Sequence, residues 1–221
     1  MSFCALHHWI TIDSRPRRRL TWKSRLLLLA AMSAAGWIFT VSVYPWLSVN
    51  QPLTDCRTVV LEGWIPDYAI RDAAERAKVE DVEMVYTTGI PIERGALLLP
   101  WGDFAHAAGA TLEKCGWPRE KITAVPTPGV QVDRTVASAL ELKAYWSQVG
   151  RSIPRRFNLV TSGSHGRRSW LAYRRIFGSE VEIGIVAVPE REFDTARWWK
   201  SSAGRKAVLG ETVALLLGSF K

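Results

Sequence analysis

Residues 156–177 read Arg-Phe-Asn-Leu-Val-Thr-Ser-Gly-Ser-His-Gly-Arg-Arg-Ser-Trp-Leu-Ala-Tyr-Arg-Arg-Ile-Phe. The first part predicts a strand over 156–161, small polar residues follow it, and a helix is predicted from about Arg167 to Phe177. A strand that opens through a short loop into a helix is the repeating unit of α/β proteins. The rest of the fold follows from this unit in both directions along the chain.

The same alternation of strands and helices extends over residues 57–221. Strands are predicted at 58–62, 83–87, 121–125, 156–161 and 181–188, and helices at 68–79, 103–115, 134–148, 167–177 and 203–217. Because the connections are short, successive strands should run parallel and be joined by right-handed crossovers. We therefore predict one α/β domain, a Rossmann-like three-layer sandwich with a mostly parallel sheet of about five strands.

The segment ahead of this domain is apolar. No charged residue occurs from Leu26 to Thr54, and Leu26 to Leu47 is almost continuously apolar. A helix of that length covers about 33 Å, which is enough to cross the hydrocarbon core of a bilayer. A cleaved signal peptide is the main alternative, but its apolar region is normally only about 7–15 residues long. We predict a transmembrane helix over 26–47 and a short linker over 48–56.

Most of the formal net charge of +8 lies before the apolar segment. Residues 1–25 hold six basic residues and one acidic residue, Asp13, which leaves +5 there and +3 on the rest of the chain. Basic residues beside a membrane helix mark its cytoplasmic side, so we predict a basic cytoplasmic tail over 1–25 and an extracytoplasmic domain. A domain that binds nucleic acid would concentrate its charge on the folded module. We therefore expect the lipid bilayer as a partner and no nucleic acid.

Polar residues collect where the predicted strands end. Ligands of open parallel sheets bind at the carboxyl ends of the strands, so this edge is the expected site. Ten residues there are candidates: Glu62, Gly63, Thr88, Gly89, Asp133, Arg134, Thr135, Ser162, His165 and Arg168.

Three of the candidates can transfer protons, and we predict Asp133, His165 and Glu62 as catalytic residues. The others are predicted to bind substrate: Gly63, Thr88, Gly89, Arg134, Thr135, Ser162 and Arg168. An anionic ligand is expected, because the backbone N–H groups at a helix start and nearby arginine side chains both favour negative charge. Structural roles are the alternative, with His165 as a cap or packing residue and Asp133 as the N-cap of its helix.

Cofactor and metal motifs are absent from the sequence. Glu-Gly-Trp-Ile-Pro (62–66) follows the first strand in place of a glycine-rich dinucleotide fingerprint, so we expect no NAD and no other cofactor. The three cysteines are too few and too scattered to predict a zinc site. Cys56 and Cys115 would form a disulfide in an oxidising compartment only if their Cα atoms came within about 7 Å, and the sequence leaves this pairing open.

Four segments resemble the SanA/ElyC/YdcF-like family, namely residues 58–64, 87–89, 133–139 and 159–169. Thr135 matches the family's Thr-x-x-Asn piece, in which Ser138 stands here in place of Asn, and Glu62 departs from the family's paired glycines. The resemblance covers about residues 57–215. It implies a Rossmann-like domain, often tethered to the bacterial inner membrane and facing the periplasm, in proteins associated with envelope assembly, peptidoglycan and lipid carriers. One cytoplasmic branch of the family is associated with S-adenosylmethionine binding.

Three functions are consistent with these features. The first is a cell-envelope enzyme that acts on a phosphate- or carboxylate-bearing lipid-linked or peptidoglycan-related substrate. The second is a non-catalytic module that binds an envelope precursor. The third is a nucleotide or S-adenosylmethionine binding domain, which an extracytoplasmic location disfavours. The sequence does not indicate the oligomeric state.

Overall fold

The computed structural model describes residues 21–93, 95, 97, 99–129, 133–148 and 153–218. The strands are β1 (Thr58–Glu62), β2 (Met84–Gly89), β3 (Ile122–Pro126), β4 (Arg156–Ser162) and β5 (Glu182–Val188). The helices are α1 (Trp22–Leu47), α2 (Asp67–Val79), α3 (Phe104–Lys114), α4 (Arg134–Gln148), α5 (Gly166–Phe177) and α6 (Ser202–Gly218). The predicted strands and helices are thus confirmed. The described residues also contain 3₁₀ turns that were not predicted, at Arg119–Lys121, Gly163–His165 and Thr195–Lys200.

The five strands form one parallel sheet in the order β3-β2-β1-β4-β5. The chain moves outward from β1 to β3 and then crosses back to place β4 on the other side of β1. The strand order therefore reverses between β1 and β4, and the crevice outside their carboxyl ends is the usual ligand site of such sheets.

Two apolar layers cover the sheet, because alternate strand residues point to opposite faces. Val59 and Leu61 pack with α2 and α3, whereas Val60 packs with α4 and α5. The second layer is rich in aromatic rings, among them Trp146 and Phe157, whose centroids are 5.6 Å apart. Helices on both faces of a parallel sheet make the predicted three-layer α/β sandwich.

Helix α1 has 26 residues and is long and apolar enough to cross a membrane. The boundary between two compact units of the chain falls within it, between Phe39 and Thr40. Its last two turns belong to the α/β unit, where Val43, Tyr44 and Leu47 are buried in a cluster with Trp198, Val208 and Leu215. The predicted tail, residues 1–25, lies outside the described residues except for its last five.

The segment predicted as a linker, residues 48–56, is attached to the sheet. Gln51 exchanges two backbone hydrogen bonds with Ile185 of the edge strand, at 2.8 and 3.0 Å. The Asn158 side chain bonds both the N–H and the carbonyl of Leu53, at 2.8 and 3.0 Å. A β-carbon at Gly184 would overlap Asn158 Oδ1, so glycine is required for this close approach. The segment is therefore a docked strap along β5 rather than a free connection.

Cys56 and Cys115 are both free thiols. Cys56 precedes β1, and charged groups of β4 and β5, namely Arg156 and Glu182, act on its thiol, whose pKa burial raises. Cys115 follows α3, which packs against β2 and β3 on the other side of β1. The two residues thus neighbour opposite halves of the sheet, which explains why the possible disulfide is not formed.

Candidate functional site

A cavity of about 730 Å³ lies at the carboxyl edge of the sheet. Nine of the ten predicted site residues line it: Glu62, Thr88, Gly89, Asp133, Arg134, Thr135, Ser162, His165 and Arg168. They come from the ends of three strands and the starts of two helices, which a parallel sheet brings to one edge. In particular, His165 and Asp133 face the same cavity.

Gly63 is the predicted site residue that lies elsewhere. It lines a second cavity, beside α2 and α3, and its N–H donates to the Thr88 carbonyl over 2.6 Å. A β-carbon at this position would overlap the carbonyl of Phe104. Gly63 therefore allows β1 and α3 to approach closely, and the structure gives it no contact with the main cavity.

His165 is held by a carboxylate of the closing helix. Its Nδ1 lies 3.0 Å from Glu211 Oε1, and its Nε2 lies 3.3 Å from the hydroxyl of Thr135. The Trp64 ring meets the imidazole edge-on, with centroids 4.6 Å apart. With Nδ1 engaged by Glu211, the nitrogen on the Thr135 side, Nε2, is the one that can exchange a proton with a bound molecule.

Arg168 completes this cluster. Its Nε and Nη2 donate to the two oxygens of Glu211 over 2.7 and 3.2 Å, and Nη2 also lies 3.0 Å from His165 Nδ1. When Nδ1 carries a proton it donates to Glu211 and Nε2 is a base. When Nδ1 accepts from Arg168, Nε2 carries the proton and is a hydrogen-bond donor. Both tautomers keep Nε2 beside Thr135.

Glu211 stays ionised in this arrangement. Burial by itself raises the pKa of the Glu211 carboxyl, but the hydrogen bonds and positive charges of His165 and Arg168 outweigh it and lower the pKa to about 2. The Glu211 carboxylate therefore holds the imidazole of His165 through Nδ1 and leaves Nε2 towards Thr135.

Glu62 is the most deeply buried acid of the cavity, with 1% of its surface exposed. Its Oε2 accepts hydrogen bonds from Thr161 Oγ1 and from Ser169 Oγ, the latter at 2.8 Å. Its Oε1 has no hydrogen-bond partner among the described residues. The pKa of nearby Tyr173 is raised, first by burial and then by the negative charge of Glu62. A buried oxygen without a donor is costly, so a ligand donor at this position would stabilise the protein.

The expected anion position at the start of α5 is filled by the protein itself. Glu190, just after β5, accepts the Ser164 N–H at 2.8 Å and the Ser164 hydroxyl at 2.7 Å. Its other oxygen accepts the Tyr44 hydroxyl at 2.5 Å. A β-carbon at Gly163 would overlap this carboxylate. Backbone N–H groups at a helix start do favour an anion, but here the anion is a side chain.

The two arginines at the start of α5 are also engaged. Arg167 turns away from the cavity, donates to the Trp46 carbonyl over 2.6 Å and stacks on the Trp46 ring at 4.5 Å. Arg168 lines the cavity but spends two donors on Glu211. Arg167 thus fastens the end of α1, whereas Arg168 orients the His165–Glu211 pair through Nε and Nη2. The prediction that Arg168 also binds substrate stays a prediction.

Asp133 and Arg134 are exposed at the cavity, and Thr135 is buried. Asp133 has a left-handed backbone with φ of 55°, a conformation that Asp tolerates better than most residues. Arg134 lies 3.6 Å from Glu93, an exposed pair that contributes little and leaves the guanidinium accessible. Arg134 is thus the arginine of the cavity lining that solvent and ligands reach most easily.

The remaining predicted residues support the cavity floor. Thr88 is buried with its hydroxyl 3.3 Å from that of Tyr173. Gly89 contacts Phe104 where a β-carbon would collide with that side chain. Ser162 is 8% exposed at the end of β4. These three residues define the shape of the cavity more than its charge.

Sequence reasoning missed the contribution of α6, which supplies Ala207 and Glu211 to the lining. Glu211 is the one charged residue in the run Ala207–Leu217, and a lone acid in an apolar helix was the signal that could have revealed it. Aromatic side chains were missed as well, and Trp64, Tyr68, Phe104 and Phe193 form much of the wall.

Acidic groups outnumber basic ones in the lining. Five carboxylates face two arginines and His165: Glu62, Asp133, Glu190, Glu192 and Glu211. Among the described residues, no group of three or more His, Cys, Asp or Glu side chains is arranged to hold a metal ion. An acidic lining with aromatic walls suits a ligand rich in hydrogen-bond donors, with its own anionic group near Arg134.

No protein-family model and no curated protein matches the chain. The resemblance to the SanA/ElyC/YdcF-like family therefore stays a prediction.

Proposed function

We propose that this chain is a membrane-anchored cell-envelope enzyme that acts on a phosphate- or carboxylate-bearing lipid-linked or peptidoglycan-related substrate. The observation that carries the proposal is the pair His165–Glu211 inside the cavity at the strand ends, with Nδ1 and Oε1 3.0 Å apart. A carboxylate behind an imidazole is a recurring arrangement for general acid–base catalysis.

Each residue has a distinct role in this proposal. His165 removes a proton from a substrate hydroxyl or a water molecule, and Glu211 stabilises the imidazolium that results. Oε1 of Glu62, which is buried and has no partner among the described residues, accepts a donor group of the substrate, such as a hydroxyl. Arg134 binds the anionic group and Arg168 keeps Glu211 in place. Asp133, exposed beside Arg134, is the second acid or base at the cavity.

The anchoring part of the proposal depends on α1 and on the basic residues before it. We propose that α1 crosses a bacterial inner membrane once, with the N-terminus in the cytoplasm and the α/β domain in the periplasm. The excess of basic residues in 1–25 supports this orientation.

The test is turnover by the full chain in phospholipid nanodiscs. Lipid-linked cell-wall precursors extracted from a bacterial membrane and soluble peptidoglycan fragments would be supplied separately, and products followed by mass spectrometry. We expect turnover with one pool, and a loss of about 10²–10⁴-fold in His165→Ala, the usual contribution of a general acid–base group. Glu113→Gln, on a half-buried residue of α3 that lies outside the cavity and pairs with Arg119, is the matched control. Full activity in His165→Ala would contradict the proposal.

A non-catalytic binding module is the second candidate, and the mutual pairing of His165, Arg168 and Glu211 favours it, because that pairing also suits a purely structural cluster. The two candidates differ in Asp133→Asn. An enzyme should lose turnover in this variant while it retains precursor binding, whereas a binding module should show no turnover in any form.

A further inference from the structure

The length of α1 brings part of the α/β domain to the level of the bilayer. A transmembrane helix needs about 20 apolar residues to cross the hydrocarbon core. If the membrane-crossing part begins at Leu26, which follows the charged Arg25, about 20 residues reach Pro45. If it begins at Trp22, the first residue of α1, about 20 residues reach Val41. Both counts include Thr40, which already belongs to the compact α/β unit. Residues that contact this part of α1 therefore lie at the membrane boundary.

The first such contact is made by the 3₁₀ turn Thr195–Lys200, which reads Thr-Ala-Arg-Trp-Trp-Lys. The Trp198 indole donates to the Thr40 carbonyl over 2.9 Å. Tryptophan and basic side chains are the residues that membrane proteins place at the interface between acyl chains and headgroups. The turn leads directly into α6.

Helix α6 has two different faces. Val208 and Leu215 point inward and join the buried cluster around Val43, Tyr44 and Leu47. The outer face carries four half-exposed apolar side chains, at Leu209, Val213, Leu216 and Leu217. Their spacing of four, three and one residues places them on one side of a helix. Arg205 and Lys206 precede them and are exposed. A basic start and an apolar outer stripe are typical of helices that lie in a membrane interface.

We propose that the turn Thr195–Lys200 and the outer face of α6 form a membrane-contact surface whose occupant is the lipid bilayer. The proposal rests on the proposed anchoring by α1. It also deepens the proposed function, because the inner side of the same helix contributes Ala207 and Glu211 to the cavity. A single helix thus separates the acyl chains from the catalytic pair. A lipid-linked substrate would reach His165 with its headgroup while its chain stays in the bilayer.

The experiment measures how deeply single labelled positions of the full chain lie in lipid. Cys4 and Cys115 are replaced by Ser, and Cys56, which is buried, is left in place. An environment-sensitive fluorophore is then attached at Leu216→Cys or Val213→Cys. Leu140→Cys, on α4, is the control, because Leu140 and Leu216 are exposed to 51% and 55%. Each protein is reconstituted into vesicles of phosphatidylethanolamine and phosphatidylglycerol, with and without lipids that carry a spin label in the acyl chain.

We expect the spin-labelled lipid to reduce emission at positions 213 and 216 by about twofold or more, and to leave position 140 unchanged. Equal quenching at all three positions would overturn the proposal. A second result would also overturn the proposal. In it, the labels at positions 213 and 216 are shielded from water but not quenched by spin-labelled lipid, and the shielding is lost at about one chain per vesicle. That result would identify a second copy of the chain as the occupant. No substrate is present in this measurement. A negative result would therefore overturn the membrane-contact surface and leave the catalytic proposal to the turnover assay.

Discussion

Replacing Glu211 by Gln removes one charge from the cluster that orients His165 and keeps the size of the side chain. The pKa of Glu211 is lowered from 4.5 to about 2, and its side chain is 19% exposed. Such a shift corresponds to about 3 kcal/mol of stabilisation at neutral pH, at about 1.4 kcal/mol per unit. Hydrogen bonds to a charged group contribute about 1.5–3 kcal/mol each, which gives a stabilisation of similar size. Since about 1 kcal/mol changes Tm by about 2–4 °C in a chain of this length, Glu211→Gln should lower Tm by about 6–12 °C.

The pH dependence tests the cause of this loss. A carboxylate with a lowered pKa stabilises the folded state above its unfolded pKa, near 4.5, and this stabilisation disappears as pH falls towards 2. The Tm difference between the wild type and Glu211→Gln should therefore shrink by more than half between about pH 6 and about pH 3. Thermal unfolding of the full chain in detergent micelles, followed by circular dichroism, measures both values. Glu75→Gln, an exposed residue on α2, should leave Tm unchanged. A Tm difference that is the same at both pH values would refute the electrostatic reasoning.

The orientation of α1 and the surroundings of Arg168, Arg134 and Gly184 give four further predictions. A reporter that works only outside the cytoplasm should be active when it is fused after Lys221, because the basic residues before α1 favour a cytoplasmic N-terminus. If only a cytoplasm-specific reporter is active, the nucleotide-binding alternative is revived. Arg168→Ala should lower Tm by about 3–12 °C, because the loss of its donors to Glu211 costs about 1.5–3 kcal/mol. An unchanged Tm with weaker precursor binding would return Arg168 to the role of an anion ligand. Arg134→Gln should raise KM about tenfold or more with Tm nearly unchanged, because Arg134 is proposed to bind the substrate anion and its exposed pair with Glu93 contributes little to stability. Steady-state kinetics in nanodiscs measure KM. Gly184→Ala should lower Tm, because the added β-carbon would displace the Asn158 side chain from Leu53. Gly210→Ala, where a β-carbon meets no other atom, is the control, and it should change Tm much less in the same thermal unfolding experiment.

The sheet and the nine cavity residues could be predicted because they depend on local patterns and on one topological rule. Short apolar runs separated by helical spacing predicted all five strands, and the bounds of α4, residues 134–148, matched the structure. Parallel strands place their carboxyl ends at one edge whatever the details of packing. Glu62, Thr88 and Ser162 therefore came together without any knowledge of side-chain contacts.

The features that could not be predicted depend on long-range docking. Glu211 reaches His165 from 46 positions later in the chain, and only the packing of α6 brings the two together. The anion expected at the start of α5 was read from one strand–helix unit, whereas Glu190 comes from the next strand. The strap at 48–56 looked like a linker because its residues are polar and carry a proline, but backbone pairing with Ile185 needs no particular side chain.

The burial of Val43, Tyr44 and Leu47 determines how far α1 can be shortened without loss of stability. A cut before Thr40 would keep the hydrogen bond from the Tyr44 hydroxyl to Glu190, and the Trp198 side chain would stay buried. A cut after Leu47 would strip the helix turn from that cluster, expose apolar side chains to water and leave one Glu190 oxygen without its donor. A soluble form of this protein made by truncation should therefore begin upstream of Val43 and keep the final turns of α1 as its first structural element.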